Sequence, residues 1–240
     1  VTKTIKVVMS VFNFKNIPIV FRDKFYDIYG GIRATISTIA KVTSQNPPDE
    51  TIQLDSTVTS AYYADQVGAK KAFIYFPGGG YREPPSPGHI EFARMVHLEK
   101  NIDLFFTEYT LSGVAPYPAA LNDALAIYNH LTNELNYLPE NIAVGGDSSG
   151  SHLTLALLLE LRNRQLALPG AALLFSVWSD MSFTASSLDT NRYTDVFVSR
   201  ESMQHVVAQF LEGSDITNYD NPLISPILGD LTGLPPLLLM

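Results

Sequence analysis

The chain has 240 residues, 46% of them hydrophobic, enough for one large domain with a well-buried core, or a core with a small cap. A formal net charge of −8, a pI near 5.0 and no long lysine or arginine run argue against nucleic acid or an anionic membrane surface as a partner. Cysteine is absent, so there is no disulfide, thiolate nucleophile or thiolate metal site. No apolar run reaches the ~18 residues of a membrane span. Val1-Thr2-Lys3 carries no signal-peptide pattern, and Val1 suggests a processed or trimmed start. Compartment and oligomeric state stay open.

Residues 1 to about 50 have scattered apolar groups at helical spacing, closed by Ser44-Gln45-Asn46-Pro47-Pro48, and predict a helical lead-in. Thr51 to Tyr63 alternates as a strand. Lys71–Phe76 predicts a buried strand ended by Pro77-Gly78-Gly79-Gly80, and Glu91–Glu99 a helix. A strand follows over Ile102–Tyr109. The next helix starts at Pro118, with Leu121, Ala124, Leu125, Tyr128 and Leu131 on one face. Asn141–Val144 is a strand, His152–Arg162 lies in an apolar helix, Gly170–Val177 is a strand, and Leu234–Met240 begins another. Strands alternating with helices imply a mostly parallel twisted sheet with helices on both faces, and the continuous apolar strands fit burial on both sides. The rhythm breaks between Phe183 and Pro226. There Met203, Val206, Val207, Phe210 and Leu211 form the face of an amphipathic helix with Ser199 as N-cap. The expected division is a lead-in (1–50), a core (51–182), a cap insertion (183–226) and the start of a further core strand (227–240).

The densest chemical signal is Gly146-Asp147-Ser148-Ser149-Gly150, set between the strand and the apolar helix. A serine on a sharp strand-to-helix turn projects its hydroxyl from the backbone, and the helix N-terminus behind it favours negative charge. Ser148 is the candidate nucleophile; a glycine-rich turn without chemistry is the competing explanation. Acyl transfer also needs a base and oxyanion donors. Gly78, Gly79 and Gly80 follow a strand directly, and their backbone amides, with that of Ser149, are the candidate donors. A phosphate loop or a plain turn are alternatives for the glycine run, but a phosphate loop would want Gly-Lys-Ser/Thr where Gly80-Tyr81-Arg82 stands.

These motifs resemble those of the hormone-sensitive-lipase-like branch of the α/β-hydrolases. Phe76-Pro77-Gly78-Gly79-Gly80-Tyr81 is similar to the family's His-Gly-Gly-Gly-aromatic stretch, and Gly146–Gly150 to its Gly-Asp-Ser-Ala-Gly. Glu108-Tyr109-Thr110-Leu111 through Pro118-Ala119-Ala120-Leu121-Asn122-Asp123-Ala124 resembles the stretch from Asp-Tyr-Arg-Leu-Ala-Pro-Glu to Pro-Ala-Ala-Leu-Glu-Asp-Ala. Trp178-Ser179-Asp180 and Leu234-Pro235-Pro236 also fall in step, and the likeness runs from about residue 70 to the end. Pro77 replaces the family histidine. Thr110, Gly113 and Val114 replace arginine, proline and glutamate, removing an ion pair that could brace the loops. Ser149 replaces alanine.

The resemblance implies an α/β-hydrolase fold with a helical cap and a serine carboxylesterase acting on small to medium acyl esters, with neither cofactor nor metal. It places the triad acid just after the strand at Leu237–Met240 and the histidine further on, so the chain is expected to lack both and to be nearly inactive by itself. Asp147 and Tyr109 are supporting residues. Asp180 is supporting rather than the triad acid, because the order serine, acid, histidine leaves only His205 after it. His152 lies one turn past Ser148 and points along the helix. His89 and His97 are assigned solvated or packing roles, and His130 and His205 helix surfaces. Tyr81, Trp178 and Phe183 are candidates for an acyl or alcohol pocket, with plain core packing as the competing role. No His, Asp and Glu cluster has metal-ligand spacing. A non-catalytic ligand-binding protein on the same scaffold is the alternative function.

Overall fold

The computed structural model describes residues 48–54, 59–63, 70–100, 102–195, 198–216 and 218–240. The expected helical lead-in therefore lies outside the described residues, apart from its last few positions.

Among the described residues seven strands form one sheet, in the order β1-β2-β4-β3-β5-β6-β7. They are β1 (Glu50–Gln53), β2 (Thr59–Tyr63), β3 (Ala72–Phe76), β4 (Asp103–Glu108), β5 (Ile142–Asp147), β6 (Ala171–Phe175) and β7 (Leu237–Leu239). Strands β4, β3, β5, β6 and β7 run parallel, and β1 and β2 add an antiparallel edge. Two paired strands thus occupy the stretch 51–63 that alternation alone reads as one. A strand cannot reverse onto itself without a turn, and the alternation on both sides of Leu54 hides it.

Among the described residues five α-helices accompany the sheet: α1 (Pro87–Lys100), α2 (Ala119–Asn129), α3 (Ser149–Asn163), the short α4 (Ser187–Thr190) and α5 (Arg200–Phe210). Helix α1 starts four residues before the expected Glu91. Ser86-Pro87-Gly88 looks like a turn, but proline suits the first helical position, where its missing N–H costs nothing.

The pleat sorts the core onto two faces. Ala72, Ile74 and Phe76 of β3 pack with buried residues of α2 and α3, while Phe73 and Tyr75 pack with Phe106 and with Ala93 and Phe92 of α1. Alternate residues of one strand thus feed opposite layers, which is why the strands read as uninterrupted apolar runs. Helix α5 joins the α2–α3 side through Val207 and Phe210. Its start is fixed by a capping box: the Ser199 hydroxyl accepts the Ser202 amide and the Ser202 hydroxyl accepts the Ser199 amide, an arrangement worth about 1 kcal/mol. No helix among the described residues is long and apolar enough to cross a membrane.

Candidate active site

The site is built where β3 and β5 end at the carboxyl edge of the sheet, the usual position for ligands in such folds. Between β5 and α3 stands Ser148, at φ 51° and ψ −119°. A non-glycine residue in that region costs roughly 1–3 kcal/mol and persists only where its surroundings hold it. Here the Ser148 amide donates to the Phe175 carbonyl at 2.9 Å, and its carbonyl accepts the His152 amide at 3.1 Å. The flanking glycines are demanded by space. A Cβ on Gly146 would lie 2.3 Å from the Phe76 carbonyl oxygen, and one on Gly150 only 2.0 Å from the same atom. The end of β3 therefore presses directly on both sides of the serine turn. Ser148 is half-buried, and among the described residues its hydroxyl has no hydrogen-bond partner.

The glycine loop continues from that contact. Gly79 and Gly80 take φ of 140° and 61°, and the Gly79 carbonyl accepts the amides of Arg82 and Glu83, each at 3.0 Å. Among the described residues the amides of Gly79, Gly80 and Ser149 have no acceptor. Gly78 is different, and the expectation that it is an oxyanion donor is corrected. Its amide donates to Asp147 Oδ1 at 2.9 Å, so this N–H is already spent on anchoring the loop.

The departures from the family pattern are offset by other contacts. Pro77 offers no side-chain donor, but its carbonyl accepts the Tyr109 hydroxyl at 2.7 Å, and the same hydroxyl lies 3.4 Å from Ser149 Oγ. In place of an ion pair, the Ser112 amide and hydroxyl both donate to the Tyr81 carbonyl, at 2.7 and 3.0 Å. The Thr110 amide donates to the buried Asp123 carboxylate at 2.6 Å.

Asp147 is the hub. Oδ1 accepts both the Tyr75 hydroxyl at 2.7 Å and the Gly78 amide, while Oδ2 faces His89 Nε2 at 3.3 Å. Burial opposes its charge, but the contacts from His89, Tyr75 and Gly78 outweigh that and hold its carboxyl below the usual carboxylate range. His89 thus has a specific partner in the residue before the nucleophile, and the assignment of a merely solvated or packing role is corrected. The local pattern Ser86-x-x-His89 at a helix start was the available signal.

His152 does not point idly along the helix. It is buried, its Nε2 donates to the Ile224 carbonyl at 2.9 Å, and its Nδ1 is left to accept the Tyr81 hydroxyl at 2.5 Å. With the ring's donor and acceptor both engaged, it has no lone pair for Ser148. Burial pushes its pKa down to about 4, against which the Ile224 bond works only partly. The folded state therefore refuses a proton that the unfolded chain accepts below about 6.5. The resulting stability is complete above that value and is lost as pH falls toward 4. Between pH 7.5 and pH 4 the wild type should lose about 3 kcal/mol more than His152→Asn in denaturant titrations. Parallel losses in both proteins would contradict this.

The proposed pocket aromatics separate. Tyr81 is only 1% exposed and stacks on Phe210 of α5, with centroids 4.1 Å apart. Phe183 is also buried in the core. Both are corrected from pocket walls to packing residues, because a buried ring has no face left for substrate. Trp178 stays half-exposed, with its indole N–H donating to the Asp180 carbonyl at 3.0 Å. The Asp180 carboxylate accepts the amides and hydroxyls of Ser182 and Thr184, and so shapes its own loop. His97 bonds the Ile102 carbonyl and His130 pairs with Glu134. Among the described residues no group of three His, Asp or Glu side chains could hold a metal ion.

Helix α5 overlooks the glycine loop. Val206 Cγ1 lies 3.4 Å from where a Gly80 Cβ would sit, and the Phe210 carbonyl accepts the Tyr117 amide at 2.8 Å.

Comparison with known proteins agrees with this architecture. A family described as having the alpha/beta hydrolase fold matches residues 73–240. An acetyl-hydrolase of Streptomyces hygroscopicus is 31% identical over 169 residues, which are 70% of this chain and 55% of that protein. An esterase of Acinetobacter venetianus is 26% identical over 211 residues, covering 86% of this chain and 68% of the relative. The crystal structure of an esterase from the bacterial hormone-sensitive lipase family superposes with a TM-score of 0.72 at 31% identity, covering 84% of this chain and 68% of that one. The chain spans little more than half the length of the Streptomyces relative.

Proposed function

The chain belongs to the α/β-hydrolase fold family, in its hormone-sensitive-lipase-like branch, and from that premise we propose that it is a serine carboxylesterase acting on small to medium acyl esters through an acyl-enzyme on Ser148. Esterases and acetyl-hydrolases are among its relatives. The observation that carries the proposal is the strained turn at Ser148, pressed by the strand end that leads into the glycine loop, where, as at Ser149, backbone amides have no acceptor among the described residues. Ser148 Oγ attacks the ester carbonyl, and the oxyanion that forms is received by the Gly79 and Gly80 amides of the glycine loop and by the Ser149 amide at the start of α3. Collapse of the intermediate expels the alcohol, and water then releases the acid. A base takes the Ser148 proton and returns it to the leaving alkoxide. His89, His97, His130 and His152 are committed elsewhere and His205 faces solvent on α5, so we assign the base, as the family resemblance implies, to a histidine beyond Met240. Residues 183–226, including α5, are proposed as a cap, with Val206 and the half-exposed Trp178 bordering the substrate.

The engaged histidines also favour a second reading, a ligand-binding protein that keeps the pocket without turnover. Incubating the full-length protein with a fluorophosphonate and mapping the adduct by mass spectrometry separates the two. An adduct on Ser148, with hydrolysis of p-nitrophenyl acetate, supports the esterase. Lack of both, in a protein that still binds the ester, rules the esterase out.

A further inference from the structure

His89 stands outside the residues that would touch a substrate, yet its contacts converge on the site. It occupies the third position of α1, whose N-cap is Ser86. The Ser86 amide donates to His89 Nδ1 at 3.0 Å, with the Ser86 hydroxyl 3.2 Å from the same atom. This is the capping-box relation, in which the third residue's side chain reaches back to the N-cap amide, with imidazole in place of the usual carboxylate or carboxamide. Because a backbone N–H can only donate, Nδ1 must be the acceptor, and the ring proton sits on Nε2. Nε2 faces Asp147 Oδ2 at 3.3 Å. A helix start on one face of the sheet is thereby wired to the residue preceding Ser148.

The carboxylate at the end of that wire holds the glycine loop. Oδ1 takes the Gly78 amide, and Oδ2, the oxygen facing His89, lies 2.3 Å from the position a Gly78 Cβ would occupy. A carboxylate this close to the loop cannot rotate without moving it. The two amides left free, Gly79 and Gly80, follow the anchored one directly.

We infer that His89 is a positioning residue: acting through Asp147 and Gly78, it holds the glycine loop in the register that presents the Gly79 and Gly80 amides to an oxyanion. This rests on the esterase function proposed for Ser148. The bonds at Nδ1 and Nε2 leave the imidazole no role as the base that activates Ser148.

The test uses the full-length protein, with wild type, His89→Leu, His89→Gln and Ser148→Ala compared on p-nitrophenyl acetate and in fluorophosphonate labelling. Wild type unlabelled and inactive would sink the esterase proposal itself. With wild type active, His89→Leu should lose about 10- to 100-fold in kcat with KM within about threefold, less than the 10²–10³ expected for deleting an oxyanion donor outright. His89→Gln keeps an N–H donor near the Nε2 position and should recover to within about fivefold of wild type. An unchanged kcat in His89→Leu overturns the inference. So does a loss as complete as that of Ser148→Ala, or a failure of glutamine to rescue a variant whose melting temperature matches wild type. Should His89→Leu fail to fold, the comparison of His89→Gln with His89→Asn decides. Asparagine cannot reach Asp147, so equal kcat in these two also overturns it.

Discussion

Ser148→Ala is expected to remove roughly 10⁵–10⁶ of kcat for ester hydrolysis and to abolish fluorophosphonate labelling, while leaving the fold intact. The size follows from the division of labour: without the nucleophile, only the oxyanion amides and substrate binding remain, and these alone give about 10³–10⁴ over water. The prediction discriminates because the hydroxyl makes no hydrogen bond among the described residues, so its removal orphans no partner. Alanine at φ 51° is as strained as serine, and the melting temperature should move by less than about 2 °C. Ser148→Gly should be equally inactive but more stable by about 1 kcal/mol, since glycine adopts that conformation freely. A variant lacking the hydroxyl that retains turnover within tenfold of wild type would remove Ser148 from the mechanism.

What could be seen in the sequence, and what could not, divides by the range of the interaction. The serine turn was legible because backbone crowding admits only glycine at 146 and 150, and that constraint writes itself into five consecutive residues. The core strands were legible because both faces of β3 are buried, leaving no polar alternation to misread. Ser199 was legible because capping is settled within three residues. The roles of His89 and His152 were not. Each depends on a partner far away in sequence, Asp147 for one and Tyr81 and Ile224 for the other; the local Ser86-x-x-His89 spacing points to a helix cap but not to the carboxylate beyond it. Gly78 shows the same limit within a motif. Three identical glycines suggested three equivalent donors, but one amide points at a carboxylate supplied by another strand.

That distinction also explains how the chain tolerates proline where the family has histidine. A loop needs its position fixed, not a particular side chain to fix it. Here the Pro77 carbonyl is held by Tyr109, the Gly78 amide by Asp147 and the Tyr81 carbonyl by Ser112. The backbone is clamped on both sides of the two glycines whose amides remain free. The loop's register thus comes from three contacts, two from the segment after β4 and one from the end of β5, and disturbing any one should displace the free amides by fractions of an ångström rather than unfold the protein.

Gly150→Ala tests the contact on which all of this depends. The added methyl would meet the Phe76 carbonyl oxygen at 2.0 Å, the Phe76 carbonyl carbon at 2.7 Å and the Pro77 carbonyl carbon at 3.0 Å. All three are backbone atoms at the end of a buried strand, so no side chain can swing aside. Either α3 or the end of β3 must shift. The expected cost is about 3 kcal/mol of stability, the upper range for overpacking, with a further loss of about 100-fold in kcat because Pro77 leads directly into the donor loop. Gly113→Ala is the matched control: nothing lies within 4 Å of its Cβ position, so it should be neutral or stabilising by less than about 1 kcal/mol, with unchanged kcat. Denaturant midpoints and steady-state kinetics on the two variants measure both effects. If Gly150→Ala behaves like Gly113→Ala, the strand end does not press on the serine turn, and the free amides have no fixed relation to the Ser148 hydroxyl.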